Sequence, residues 1–296
     1  MGEIQEALRR AKLARIAGAA AAAADPEPRE RLAPTILPPA PPPPSRRPPP
    51  TVHLSHERRG RWTARGLLVE DSGAKPELLR HLAVRVRREL RARNARTLAV
   101  VSAHREEGKT TTSCNLALAL ASLEPVRSIA LVDLDLRNPS VGTGLDLSPA
   151  AGIDDVLLGR SELAAACVEV DEPLLDVYPT RRPQPRAHQI LAQPSLAATL
   201  RALERRYEIV VLDTPPVLLV PDASVILETA AAAVAVVRAR RSTRRAFETL
   251  CSLLPAGRLL GAILNEGQPL PGADRYGYGY YGSQPERAAD EADASV

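Results

Sequence analysis

The chain has 296 residues, 45% of them hydrophobic and 25% charged, with a formal net charge of +4. That length suits one α/β domain with extensions, and the intermixed acids and bases form no basic stripe, so no nucleic-acid partner is expected. Three cysteines without paired or metal-like spacing exclude a disulfide scaffold and point to a reducing cytosol, and no apolar run of ~18 residues is present to cross a membrane.

Residues 1–24 read as a basic amphipathic leader helix. Ile4, Leu8, Ala11 and Leu13 share a side, with Arg9, Arg10, Lys12 and Arg15 around it. Such a face suits a membrane surface or a docking partner, and simple solvation equally well. Twelve prolines fall between Pro26 and Pro50, including Pro41 to Pro44. That composition favours polyproline II and packs no core, so residues 25–60 are expected to be a disordered linker.

The domain is expected over 61–268. A basic helix, Glu77 to Arg93, leads into it. Thr97–Ser102 then reads as a strand and Thr111–Ser122 as a helix. Ser128–Asp133, Ile209–Asp213, Ala232–Val237 and Leu259–Leu264 read as further strands. Ile153–Leu158, Ser195–Arg206 and Ser242–Leu254 read as helices. Short continuous apolar strands alternating with helices predict an α/β fold with a doubly wound, mostly parallel sheet flanked by helices. Ligand then binds at the strand C-terminal ends. Residues 269–296 are rich in Gly and Pro and are expected to be a disordered, tyrosine-rich tail.

Between the first strand and its helix lies Ala103-His104-Arg105-Glu106-Glu107-Gly108-Lys109-Thr110. Strand, Gly-Lys-Thr loop, helix is the layout of a phosphate cradle, in which backbone N–H groups point inward and the lysine reaches the outer phosphates. The chain has only three lysines, Lys12, Lys75 and Lys109, among 39 basic residues. Thr110 has the hydroxyl such loops offer to Mg²⁺. The next strand ends in Asp133-Leu134-Asp135-Leu136-Arg137, whose two carboxylates are expected on one side. A third strand ends in Asp213-Thr214-Pro215-Pro216, where an aspartate after four apolar residues suits a Mg²⁺ ligand. Each motif alone also fits a plain strand end. Four of the six tyrosines form Tyr276-Gly277-Tyr278-Gly279-Tyr280-Tyr281.

In this order the set resembles the bacterial tyrosine kinases, which carry Walker A, A′ and B motifs and a C-terminal tyrosine cluster and work in capsule and exopolysaccharide synthesis. The resemblance covers roughly Glu77 to Asn265 plus the tail. It extends to Asn138-Pro139, Pro221-Asp222-Ala223, Val236-Val237-Arg238 and Leu260 to Asn265. It implies a P-loop fold, the cofactors ATP and Mg²⁺, and autophosphorylation of Tyr276, Tyr278, Tyr280 and Tyr281 in trans. Nucleotide would be held by Ala103, Glu107, Gly108, Lys109, Thr110, Thr111 and, at the adenine edge, Asn265. Thr110, Asp135 and Asp213 would organise Mg²⁺, Asp133 would act on the tyrosine hydroxyl, and Arg137 would orient carboxylates or steady phosphate charge. The implied partners are a membrane-anchored polysaccharide co-polymerase or activator, further copies of the chain in a ring, and a cognate tyrosine phosphatase. The implied location is the cytoplasm, at the inner face of the membrane through the partner.

Two departures matter. Glu106 stands where the family has glycine. If φ is positive there, a side chain costs about 1–2 kcal/mol, and a carboxylate about 6 Å from phosphate adds ~3 kcal/mol of repulsion at an effective dielectric of about 20. Exposure or pairing with Arg105 would relieve it. The family's Glu-x-x-Arg-x-x-Arg stretch, which helps rings assemble, is met at Glu77 and Arg80, but position 83 is alanine. Two alternatives stay open. A partitioning or positioning ATPase would carry a lysine at His104 and lack the tyrosine tail. A catalytically weakened scaffold would be explained by Glu106 and the altered ring stretch.

Overall fold

The computed structural model describes residues 49–67, 74–123 and 127–267. The leader over 1–24, most of the proline-rich stretch and the tyrosine cluster lie outside the described residues.

In chain order the elements are β1 (Thr51–Val52), α1 (His56–Ala64), α2 (Ala74–Ala92), β2 (Thr97–Ser102), α3 (Lys109–Ser122), β3 (Ile129–Asp133), α4 (Val141–Gly144) and α5 (Ile153–Leu157). There follow β4 (Val168–Val170), β5 (Leu175–Tyr178), α6 (Ala187–Leu191), α7 (Pro194–Arg206), β6 (Ile209–Asp213), α8 (Asp222–Thr229), β7 (Ala232–Arg238), α9 (Arg244–Leu253) and β8 (Leu259–Asn265). The strands form one sheet in the order β1-β4-β5-β3-β6-β2-β7-β8. Every pairing is parallel except β4 with β5.

The expected α/β, doubly wound sheet is therefore what the chain forms, and strand alternation explains how it is covered. Leu98 and Val100 of β2 point into a core shared with Ala83, Val86 and Leu90 of α2 and with α3. Ala99 and Val101 point into the opposite core, built with α7, α8 and α9. α3 is apolar nearly all round, and eleven of its residues from Lys109 to Ala121 are buried, as befits a helix packed inside a domain. β2, β3 and β6 lie side by side in register, so Asp133 stands opposite Asp213 and all three strands deliver their C-terminal ends to one edge.

The linker expected to run to residue 60 ends earlier. Thr51 and Val52 pair with Glu169 and Val170. α1 is anchored by Trp62, which is fully buried. Burying an indole removes roughly 200 Å² from water, on the order of 5 kcal/mol of transfer free energy. The described fold thus includes residues well before 61. β4 and β5 are strands that sequence patterning missed, because each is short and each carries an acid. Asp176 of β5 is fully buried yet ionically satisfied, accepting from Arg127 Nη1 at 2.9 Å and from Arg206 at 3.3 Å. Tyr207 donates its hydroxyl to the same carboxylate and shares a 2.8 Å bond with the Tyr178 hydroxyl. Both tyrosines are buried, and burial pushes both phenols up from their ordinary range. All three cysteines are free, as expected; burial pushes the Cys167 thiol up to about 12.

Candidate active site

The loop between β2 and α3 is clamped from several sides. Gly108 has φ 89°, and a Cβ there would fall 2.0 Å from Asn265 Nδ2, so only glycine fits. Asn265 donates that amide to the Glu107 carbonyl at 3.1 Å. It braces the loop through that amide. The Glu107 carboxylate, 1% exposed, also turns inward. It accepts the His104 N–H at 2.8 Å and the Ser242 hydroxyl. Glu107 is therefore a strut under the loop. Ala103 is likewise buried, its carbonyl accepting the Leu218 N–H. None of these three residues lines the cavity expected to take nucleotide.

Glu106 has φ 61°, the left-handed conformation that the glycine of the kinases it resembles would adopt freely. Its carboxylate meets Arg241 Nη2 at 2.5 Å and its carbonyl accepts from Arg238 Nη1 at 2.7 Å, while the residue also lines the cavity at the start of α3. The expected pairing with Arg105 does not form; Arg105 lines the cavity instead. An exposed ion pair with an arginine outside the loop relieves part of the feared repulsion. Glu106→Gly is expected to leave stability within ~1 kcal/mol, because relieved backbone strain offsets an exposed ion pair. It should tighten nucleotide binding about threefold, the repulsion of one solvent-screened charge. A fluorescent-nucleotide titration checks this; unchanged or weaker binding would mean that the cavity does not feel the carboxylate.

The cavity, about 350 Å³, opens at the N-terminus of α3 and is lined by Arg105, Glu106, Gly108, Lys109, Thr110 and Thr111 of the loop, with Ser102, His104, Asp135, Asn138, Ser140 and Pro216 around them. Lys109 Nζ lies 2.9 Å from Asp213 Oδ1, both groups nearly or fully buried. Asp213 also accepts from the Thr110 hydroxyl at 2.7 Å and the Ser113 hydroxyl at 2.9 Å. Ser140 Oγ reaches Thr110 Oγ1 at 3.1 Å. Ser140 gave no signal in sequence, since its place depends on the turn of the chain after β3.

The paired aspartates separate. β3 ends at Asp133, so Asp135 stands outside the strand and its alternation. Asp133 is fully buried. It accepts the backbone N–H groups of Asp135, Ser140 and Val141 at 3.1–3.2 Å, and so shapes the loop into α4. Burial, then the charge of Asp213, pushes its carboxyl well above the usual range. Asp135 alone of the two lines the cavity; burial raises its carboxyl too, while Lys109 pulls it down. Arg137 orients neither aspartate. It forks onto Asp222, at 2.5 and 3.1 Å, and reaches the Pro185 carbonyl at 3.3 Å. Asp222 is thus a structural partner that its place in the sequence did not disclose. In α2, Ala83 faces the core fully buried, while Arg80 bonds Glu77 at 2.8 Å.

Two cations, a threonine hydroxyl and a helix N-terminus around one cavity fit an anionic polyphosphate. Among the described residues no group of three or more His, Cys, Asp or Glu converges as a cation cage. That donor set fits Mg²⁺, which keeps waters and phosphate oxygens around it and takes few protein ligands.

The AAA domain family matches residues 95–255. The tyrosine-protein kinase YwqD of Bacillus subtilis is 32% identical over 196 residues, which cover 65% of this chain and 80% of that protein. The tyrosine-protein kinase CpsD of Streptococcus agalactiae is 30% identical over 206 residues, 68% of this chain and 88% of that one. The crystal structure of the VpsO kinase domain superposes with a TM-score of 0.59 at 26% identity, covering 66% of this chain and 97% of that domain.

Proposed function

The chain belongs to the bacterial tyrosine-protein kinases, with an AAA domain at its centre, and on that premise we propose that it transfers the γ-phosphoryl group of ATP to the tyrosine cluster of a neighbouring copy and so regulates exopolysaccharide or capsule synthesis or export. Protein-tyrosine kinase activity is the activity of the family. What supports the finer reading is one cavity that gathers Lys109, Thr110, Asp135 and Ser140 at the start of α3.

In this reading Lys109 neutralises charge on the outer phosphates, helped by Arg105 and the backbone N–H groups of the loop. Thr110 and Asp135 would hold Mg²⁺, and Asp213 orients the Thr110 hydroxyl and the Lys109 ammonium. Mg²⁺, when bound, supplies charge neutralisation on the phosphate oxygens. A tyrosine hydroxyl has a pKa of about 10. A loose transition state lets that proton leave late, and Asp133, the carboxylate the resemblance assigns to it, also accepts backbone N–H groups of the Ser140 loop. Arg137 and Asp222 keep the loop after β3 in place.

The partners in this reading are a membrane-anchored co-polymerase or activator, further copies in a ring, and a cognate phosphatase. They place the chain in the cytoplasm, at the inner membrane face. Among the described residues no helix is long and apolar enough to cross a membrane. The weakened-scaffold alternative rests on Glu106, which lines the cavity but is paired with Arg241, and on the altered ring stretch. Mass spectrometry of the protein as expressed, and after ATP with Mg²⁺, tests the reading. Phosphotyrosine is expected within residues 276–281. ATP turnover without phosphotyrosine, even with the membrane partner present, would favour a positioning ATPase, and absence of nucleotide binding would favour a scaffold.

A further inference from the structure

Five arginines stand within eight residues where β7 turns into α9: Arg238, Arg240, Arg241, Arg244 and Arg245. The first three, with Ala239 and Glu266, line a second cavity of about 480 Å³. Its charges are unbalanced. Arg238 bonds Glu266 at 2.8 Å and Arg241 bonds Glu106 at 2.5 Å. Arg240, exposed and at φ 61°, has no carboxylate partner among the described residues. Both carboxylates are more than half exposed, so both exchange readily with solvent and with a stronger anion. Guanidinium forks match the oxygens of a phosphate two at a time.

The chain itself brings a candidate anion here. Glu266 is in the wall of this cavity, and only nine residues lead from Gly267 to Tyr276. Nine residues reach at most about 30 Å, ample to fold back on the starting point. Residues 268–296 hold five acids and two arginines, net −3 before any phosphate is added. Each phosphotyrosine adds about −2. A tether this short holds the cluster near the arginines at an effective concentration on the order of millimolar.

We propose that the Arg238–Arg241 turn is a docking site for the phosphorylated tyrosine cluster of the same chain. The phosphate displaces Glu266 from Arg238 and Glu106 from Arg241, and Arg240 supplies the third guanidinium. Arg238 and Arg241 also hold Glu106 in the phosphate loop, so docking couples the state of the tail to the nucleotide cavity. The proposal rests on the tail being phosphorylated, as in the reading above.

The test uses the full chain with Tyr276, Tyr278, Tyr280 and Tyr281 all changed to Phe, so that its own tail does not compete. A synthetic peptide of residues 272–284, phosphorylated on its tyrosines or unmodified, is titrated by fluorescence anisotropy. The phosphopeptide should bind at least tenfold tighter than the unmodified one. Arg240→Asn, which tolerates the left-handed backbone, should weaken it at least tenfold, with nucleotide binding and melting temperature unchanged. Equal binding of the two peptides, no effect of Arg240→Asn, or simple competition by ADP with Mg²⁺ would overturn the site. Phosphorylated wild-type chain should refuse the peptide at every protein concentration. Refusal that appears only as the chain self-associates would move the occupant to a neighbouring copy and overturn the same-chain assignment. Because synthesis supplies the phosphate, peptide binding by a protein that makes no phosphotyrosine sinks only the kinase reading. A protein that phosphorylates its tail but ignores the peptide sinks only the docking site.

Discussion

Lys109→Met is expected to lower tyrosine phosphorylation at least ~10²-fold, the cost of losing one preorganised charge at the transferring phosphate. Lys109 is the one lysine of the loop, and its ammonium already sits 2.9 Å from Asp213 at the edge of the cavity. The same change strands a fully buried carboxylate. Removing one partner of a buried pair costs about 3–5 kcal/mol when nothing compensates. Here the hydroxyls of Thr110 and Ser113 remain on Asp213, so the melting temperature should fall without loss of the fold. Phosphotyrosine is read by mass spectrometry on protein shown to be folded by its melting transition. A folded variant that still labels normally would remove Lys109 from the chemistry and leave it as a structural partner of Asp213.

Changing Tyr276, Tyr278, Tyr280 and Tyr281 to Phe together should take autophosphorylation to background while leaving nucleotide affinity unchanged. The structure makes this sharper than the tyrosine count alone. The chain has six tyrosines, and the two outside the tail are Tyr178 and Tyr207. Their exposures are 0% and 2%, and their hydroxyls are committed to each other and to Asp176. Neither can enter a neighbour's site without unfolding β5 or the end of α7. Residual label near the wild-type level, mapped to Tyr178 or Tyr207, would mean that this core opens far more readily than its packing implies.

Much of the fold was legible because its strands are buried on both faces. Thr97–Ser102 and Ile209–Asp213 read as unbroken apolar runs, and the structure forms both over those same residues. β5 was not legible, since Asp176 resembles a turn residue until Arg127 and Tyr207 are seen to satisfy it. α1 and β1 were hidden in proline-rich surroundings, and the cue was Trp62, the sole tryptophan, which needs a core to enter. Within the site, Gly108, Lys109, Thr110, Thr111, Asp135 and Asp213 were legible from spacing along three strand ends. Ser140, Arg238, Arg241 and Ser242 were not, because they reach the loop from elements far away in sequence.

By itself the sequence determined which strands carry the phosphate loop and the acidic strand ends, since hydrophobic period and loop chemistry are local properties. Only the tertiary structure decided where the charges face. Glu106 pairs with Arg241 at the cavity's wall, Glu107 turns in to His104 and Ser242, Asp133 accepts backbone N–H groups, and Asp135 lines the cavity. The direction of each carboxylate is set by which donors can satisfy it once water is gone. Those donors are brought together by the folded sheet and not by the order of residues along the chain.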